Sequence, residues 1–305
     1  MALGRTFGGA NFYAMVNGQS GGYLKSMTVP TLEVDKIAMP LGPDGVTKQA
    51  LGRMKLGDAK VVCGISESNA LWQLIESVMK KNCQPCDIVL GVADQNYVSK
   101  RETELTHCLI KEVSFAELDA QSGKDLFDVP ATFAPEAAKF SNGSGSVIKG
   151  NLSGKQKGWQ KSYFDPIGFP GGIPPQAITK IALAKHAAKI TEEHTGMSRW
   201  PTKTHAAWTV DGLKIEGSAL GYGEARDLCV KIMYDGFVEE KEFTDCSVNI
   251  KDPTHTKTVG EVVFIQIAPT KFTTGAENKG GEDKAIQWSM DMAIEEQYVT
   301  ITQKM

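Results

Sequence analysis

Apolar and polar residues alternate along much of this chain, and a period of two marks strands buried on one face. Residues 11–16 (NFYAMV) alternate and carry aromatic side chains. Asn17-Gly18 then opens a glycine-rich turn, NGQSGG, of the type that joins hairpin strands. Residues 23–37 alternate again, with Pro30 as a break or edge mark. Residues 38–51 (AMPLGPDGVTKQAL) have the Pro and Gly of an extended loop, and residues 55–65 return to strand character. The period then changes: Ala70, Leu71, Leu74, Ile75 and Val78 recur at helical spacing. Ser66 or Ser68 can cap that helix, because a short hydroxyl accepts from the free N–H groups at its start. Lys80 and Lys81 suit the negative end of its dipole. Leu71, Leu74, Ile75 and Val78 are the expected core face, and Trp72, off that line, is expected at an interface. Residues 87–92, 102–115 and 126–133 read as further strands.

The second half repeats this order. Tyr163-Phe164 answers Phe12-Tyr13, and residues 178–190 answer 27–37. The polar stretch 191–205 stands where the first half has its long loop. Residues 213–215 answer 60–62, the helix-like run 224–234 answers 70–79, and 247–250 answer 88–92. Residues 262–272 (VVFIQIAPTKF) answer 105–115 (LTHCLIKEVSF), and 286–294 answer 126–133. The offset drifts smoothly from about 151 to about 160 residues, which points to internal duplication rather than two unrelated β-rich domains. Residues 141–158 (SNGSGSVIKGNLSGKQKG) read as a flexible linker between a domain at 1–140 and a second at 159–305. Each half is expected to be a small β-barrel or sandwich with one flanking helix, a mainly β (α+β) fold.

Composition narrows the function classes. The chain has 305 residues and a formal net charge of -3, which argues against a strongly basic nucleic-acid binder. No run of about 18 apolar residues is present to span a bilayer. The start, MALGRTFGGA, does not read as a secretory signal, so synthesis and folding in a cytoplasm are expected. Six cysteines are too few for a disulfide scaffold of this length and are expected to be reduced.

Catalytic motifs fail on context. Gly18-Gln19-Ser20-Gly21-Gly22 fits G-x-S-x-G, but a nucleophile elbow needs a helix directly after it, and a strand-like run follows. Cys83-Gln84-Pro85-Cys86 fits C-x-x-C without the second ligand pair that zinc requires. It also follows a helix, whereas a thioredoxin-like motif starts one. The five histidines form no metal-binding pattern, and no Walker or dinucleotide loop is present. The expectation is no enzyme, no cofactor, no catalytic residues and no bound metal.

Five features of the first half together resemble the tail tube proteins of contractile phages and related injection systems, including the type VI secretion tube protein. These are the hairpin turn Gly18 to Gly22, the extended second strand, the long loop, the helix carrying Leu71-Trp72, and the segment 110–136. That segment contains Phe115-x-x-Leu118-Asp119-Ala120-x-Ser122 and closes on Ala134-Pro135-Glu136. Gly154-Lys155-Gln156-Lys157 with Trp159 is similar to the hinge of longer, two-domain members. The resemblance implies two tandem tube-type domains in a virion or phage-tail-like particle, assembled in the bacterial cytoplasm. The chain would self-assemble into trimeric or hexameric rings that form or terminate the inner tube. Sheath, baseplate or terminator proteins would be its partners, and DNA or an effector would pass through the lumen without sequence-specific binding. A baseplate or adaptor β-domain protein of such a particle is the alternative. The loop tip Met39, Pro40 and Leu41 is the expected contact between rings, since an apolar tip is costly in water.

Overall fold

Alternating segments pair into antiparallel ladders in a computed structural model that describes residues 11–40, 47–64, 70–123, 125–148, 159–194, 200–235, 244–274 and 287–301. The first half runs β1 (Asn11–Val16), β2 (Gln19–Thr28), β3 (Leu32–Pro40), β4 (Thr47–Leu56), β5 (Ala59–Gly64), α1 (Ala70–Met79), β6 (Cys86–Ala93), β7 (Ser99–Val113), β8 (Leu118–Asp119), β9 (Asp128–Ala134) and β10 (Ala137–Asn142). The second runs β11 (Phe164–Ile167), two 3-10 turns, β12 (Ile178–Ala182), β13 (Lys185–Glu193), β14 (Thr202–Asp211), β15 (Leu213–Gly217), α2 (Tyr222–Asp235), β16 (Thr244–Lys251), β17 (Thr258–Thr274) and β18 (Trp288–Ile301).

Six strands of the first half close into a barrel in the order β1, β2, β5, β9, β7, β6 and back to β1. Closure removes the unpaired edges that an open sheet of this size would leave. The second half has the same order, β12, β15, β18, β17, β16, β11, without the last pairing. The connection between β11 and β12 carries Pro170, Pro174 and Pro175 and turns twice as 3-10 helix. Proline has no N–H for a ladder, so this segment does not make the tight hairpin of β1 and β2. Instead β8, from the first half, pairs with β12 through Leu118 and Ile181.

The correspondence reaches single irregularities. His107 in β7 and Gln266 in β17 are non-glycine residues at φ 48° and 52°. The His107 N–H donates to Asp87 Oδ1 at 2.9 Å, and the Gln266 N–H donates to Asp245 Oδ1 at 2.9 Å. Each aspartate satisfies the amide that the bulge takes out of the ladder.

The inward residues of both barrels and the helix faces form one continuous core. In α1, Leu71, Ile75 and Val78 are buried, and Leu74 is half-buried against the same cluster. Trp72 is not at a surface: it is 1% exposed, and its Nε1 donates to Glu76 Oε1 at 2.9 Å. The helical line through Leu71 and Ile75 missed it because α1 has protein on two sides, packing on β1, β2 and the distant β18. Val299 N–H of β18 reaches Met79 Sδ at 3.3 Å, and Lys81 pairs with Glu296. Lys80 and Lys81 lie just beyond the last turn of α1. The serines considered as its cap fall outside the described residues.

Two expected loops are strands. Most of residues 38–51 belongs to the hairpin of β3 and β4, with Ile37 opposite Ala50 and Met39 opposite Lys48. The stretch 191–205 contributes to the hairpin of β13 and β14. Backbone pairing across a hairpin does not need an apolar alternation, so the polar residues concealed it. Of the expected linker, Ser141 and Asn142 belong to β10, and Val147 bridges to Val98. Residues 149–158 lie outside the described residues.

Candidate assembly surface

The hairpins β3–β4 and β13–β14 hold the same place in their halves, between β2 and β5 and between β12 and β15. Their surroundings differ. The β13–β14 hairpin leaves its own barrel and continues the nine-stranded sheet of the first half, with His186 opposite Val113 and Ala187 opposite Glu112 on β7.

That junction is held at several points. Lys185 Nζ lies 2.8 Å from Glu112, the Lys203 N–H donates to Glu136 Oε1 at 2.7 Å, and His205 Nε2 lies 2.8 Å from the Ile110 carbonyl. The buried Gln297 side chain bonds both backbone groups of Ala184, at 2.8 Å and 3.0 Å, and so pins the root of β13. His186 is 4% exposed and meets the Phe115 ring edge-on at 6.2 Å. Burial disfavours its cation and lowers its pKa to about 4.

The β3–β4 hairpin forms a two-stranded sheet by itself among the described residues. Four of its large apolar side chains are exposed, while Leu56 at the root is buried: Leu32 is 48% exposed, Val34 37%, Ile37 49% and Leu51 79%. An isolated hairpin is marginal in water, and clustered exposed apolar residues mark an interaction surface. A second unsatisfied feature is on β17. Its pairing with β16 stops at Ile267, while β18 pairs the other edge on to Thr274. The edge from Ala268 to Thr274 therefore has no partner strand among the described residues.

Of the expected contact residues, Met39 and Pro40 end β3, opposite Lys48 and Thr47, and Leu41 lies outside the described residues. The sequence reading missed Leu32, Val34, Ile37 and Leu51. The available signal was the alternation of residues 32–37, which runs into the stretch taken as loop, and the matching length of residues 186–193.

The chemistry of the other flagged residues is quiet. Cys86 and Cys108 are buried and opposite each other in the ladder, and burial pushes the Cys86 thiol up to about 12 and the Cys108 thiol up as well. Burial likewise raises Cys83. A thiol held protonated is a poor nucleophile and a poor metal ligand. Ser20 sits within the paired strand β2, not at a strand-to-helix elbow.

No family model matches this chain, and no curated relative matches it. Among solved structures, it is similar to the tube-terminating cap of the anti-feeding prophage, at 13% identity and TM-score 0.40, over 47% of this chain and 95% of that one. It is similar to the sheath/tube terminator of an extracellular contractile injection system, also at 13% identity and TM-score 0.40, over 46% of this chain and 99% of that one. It is similar to Hcp1 from Flavobacterium johnsoniae, at 12% identity and TM-score 0.27, over 45% of this chain and 98% of that one. The likeness is one of fold.

Proposed function

We propose that this protein is a structural component of a phage tail or phage-tail-like contractile injection particle, and that it self-assembles into rings that form or terminate the inner tube. The observation that carries the reading is the internal junction, where a hairpin of one barrel extends the sheet of another barrel of the same strand order. A unit that extends its neighbour's sheet while offering its own free edge builds rings, because head-to-tail contacts close when the rotation allows. The first-half motifs that resemble tail tube proteins support the same reading.

On this reading the chain is a tandem repeat of two tube-type domains. Three chains then supply six sheet units, giving a threefold ring of sixfold appearance; six chains per ring is the alternative. Met39, Pro40 and Leu41 contact the adjacent ring. Sheath, baseplate or terminator proteins bind the assembled ring. DNA or an effector passes through the lumen without sequence-specific contact, consistent with a net charge of -3. The chain is not an enzyme, and it assembles in the bacterial cytoplasm before joining the particle.

Negative-stain microscopy and native mass spectrometry of the purified protein test this. Rings or rods with three chains per layer are expected. Six chains per layer would remove the threefold ring and leave the tube reading. A protein that stays monomeric at every concentration would overturn it.

A further inference from the structure

Resting on the reading that the chain associates with itself, we propose that copies join in one register. Strand β3 of one copy continues the sheet of the next copy at the unpaired end of β17, with Leu32 opposite Phe272 and Glu33 opposite Lys271. The template is the junction within the chain, where His186 stands opposite Val113 and Ala187 opposite Glu112.

The correspondence is fixed on both sides by shared landmarks. Val61 pairs with Met27, and Ile215 pairs with Ile181, at the same place in each barrel. At the hairpin roots, the Gly57 N–H donates to the Thr31 carbonyl at 2.8 Å where Lys185 pairs with Asp211. Leu32 and Glu33 therefore hold the places of His186 and Ala187. On the receiving strand, β7 shifts register between Ile110 and Glu112, and β17 shifts between Pro269 and Lys271. Lys271 and Phe272 therefore hold the places of Glu112 and Val113.

A second copy is the occupant that the charges select. Glu33 on β3 meets Lys271 in this register, an opposite pair directly across the ladder. The same Glu33 placed on β7 would face Glu112, and Lys185 placed on β17 would come beside Lys271. Each hairpin is thus matched to one edge and repelled by the other, which keeps the internal and intermolecular junctions from exchanging. Apolar surface agrees. Leu51 holds the place of His205, which lies against Ile110, and the counterpart of Ile110 is the buried Pro269. Docking covers Leu32 and Leu51, which otherwise stand 48% and 79% exposed. Pro269 also has no N–H left unpaired on the open edge.

Charge exchange and cross-linking test the register. Sedimentation velocity at low salt on Lys271→Glu and on Glu33→Lys should each show self-association weakened about fivefold, and the double variant should recover to within about twofold of the parent. In a mixture of a Glu33→Cys chain and a Lys271→Cys chain, oxidation by copper–phenanthroline should give a dimer holding one chain of each kind, verified by peptide mass spectrometry. Rings that form normally in both single charge variants and yield no such cross-link would overturn this register and leave self-assembly standing. A parent protein that never associates would overturn both. A double variant that is no better than the singles would also count against the pairing.

Discussion

Acid should loosen this protein through one histidine, and the size of the effect follows from where His186 sits. The side chain is 4% exposed, between Phe115 and the root of the β13–β14 hairpin, and its Nε2 has no hydrogen-bond partner among the described residues. Burial lowers its pKa from 6.5 to about 4; the nearby Lys81 lowers it further, while a hydrogen bond that the ring donates to the Gln297 backbone and the charge of Glu296 oppose the shift. The neutral ring is therefore favoured in the folded state. Above pH 6.5 neither state binds the proton and the contribution is complete. Between pH 6.5 and about 4 the unfolded chain takes up a proton that the folded chain refuses, so stability falls as pH falls. At ~1.4 kcal/mol per pKa unit the full loss is about 3 kcal/mol. Urea unfolding at intervals from pH 7.5 to 4 measures it. The control is His186→Leu, which puts at this position the residue that the sister hairpin carries as Leu32. That variant should keep its stability near neutrality and lose the slope between pH 6.5 and 4. Equal slopes for variant and parent would refute the argument, because the acid loss would then belong to other groups.

Three further outcomes are expected. Gly91→Ala should cost about 2 kcal/mol or more in thermal or urea unfolding, since a Cβ there would stand 2.1 Å from the Tyr13 ring, which the bond from Tyr13 Oη to Glu102 at 2.8 Å holds in place; an unchanged midpoint would mean that the ring moves freely. Cys83→Ser should leave stability within about 0.5 kcal/mol, whereas Cys86→Ser, at a buried ladder position, should lower it by about 1–2 kcal/mol, with ring formation by electron microscopy intact in both. Changing Met39 and Leu41 together to Asp should stop rings from stacking into rods while circular dichroism melts remain those of the parent, and normal rods would remove the inter-ring contact.

Much of the barrel was legible in the chain because its information is local. Alternation in residues 11–16 and 262–272, the Asn17-Gly18 turn and the helical spacing of Leu71, Ile75 and Val78 all report on neighbours a few positions away. The repeated strand order was legible for a similar reason: the same order of periods occurs twice, whatever the identity between halves. The candidate surface was not legible. Pro40, Gly42, Pro43 and Gly45 read as a long loop, because Pro and Gly signal a break in the chain whether paired strands or none flank them. Trp72 was misplaced because α1 packs also on β18, more than two hundred residues away, so the helical line does not show which of its faces are covered. Most of all, nothing local distinguishes the β13–β14 hairpin, docked on β7, from the β3–β4 hairpin, which has no such partner among the described residues of its own chain. Which strand edge a hairpin finds depends on how the two barrels stand against each other, so the sequence determined the units and only the tertiary structure decided the junction.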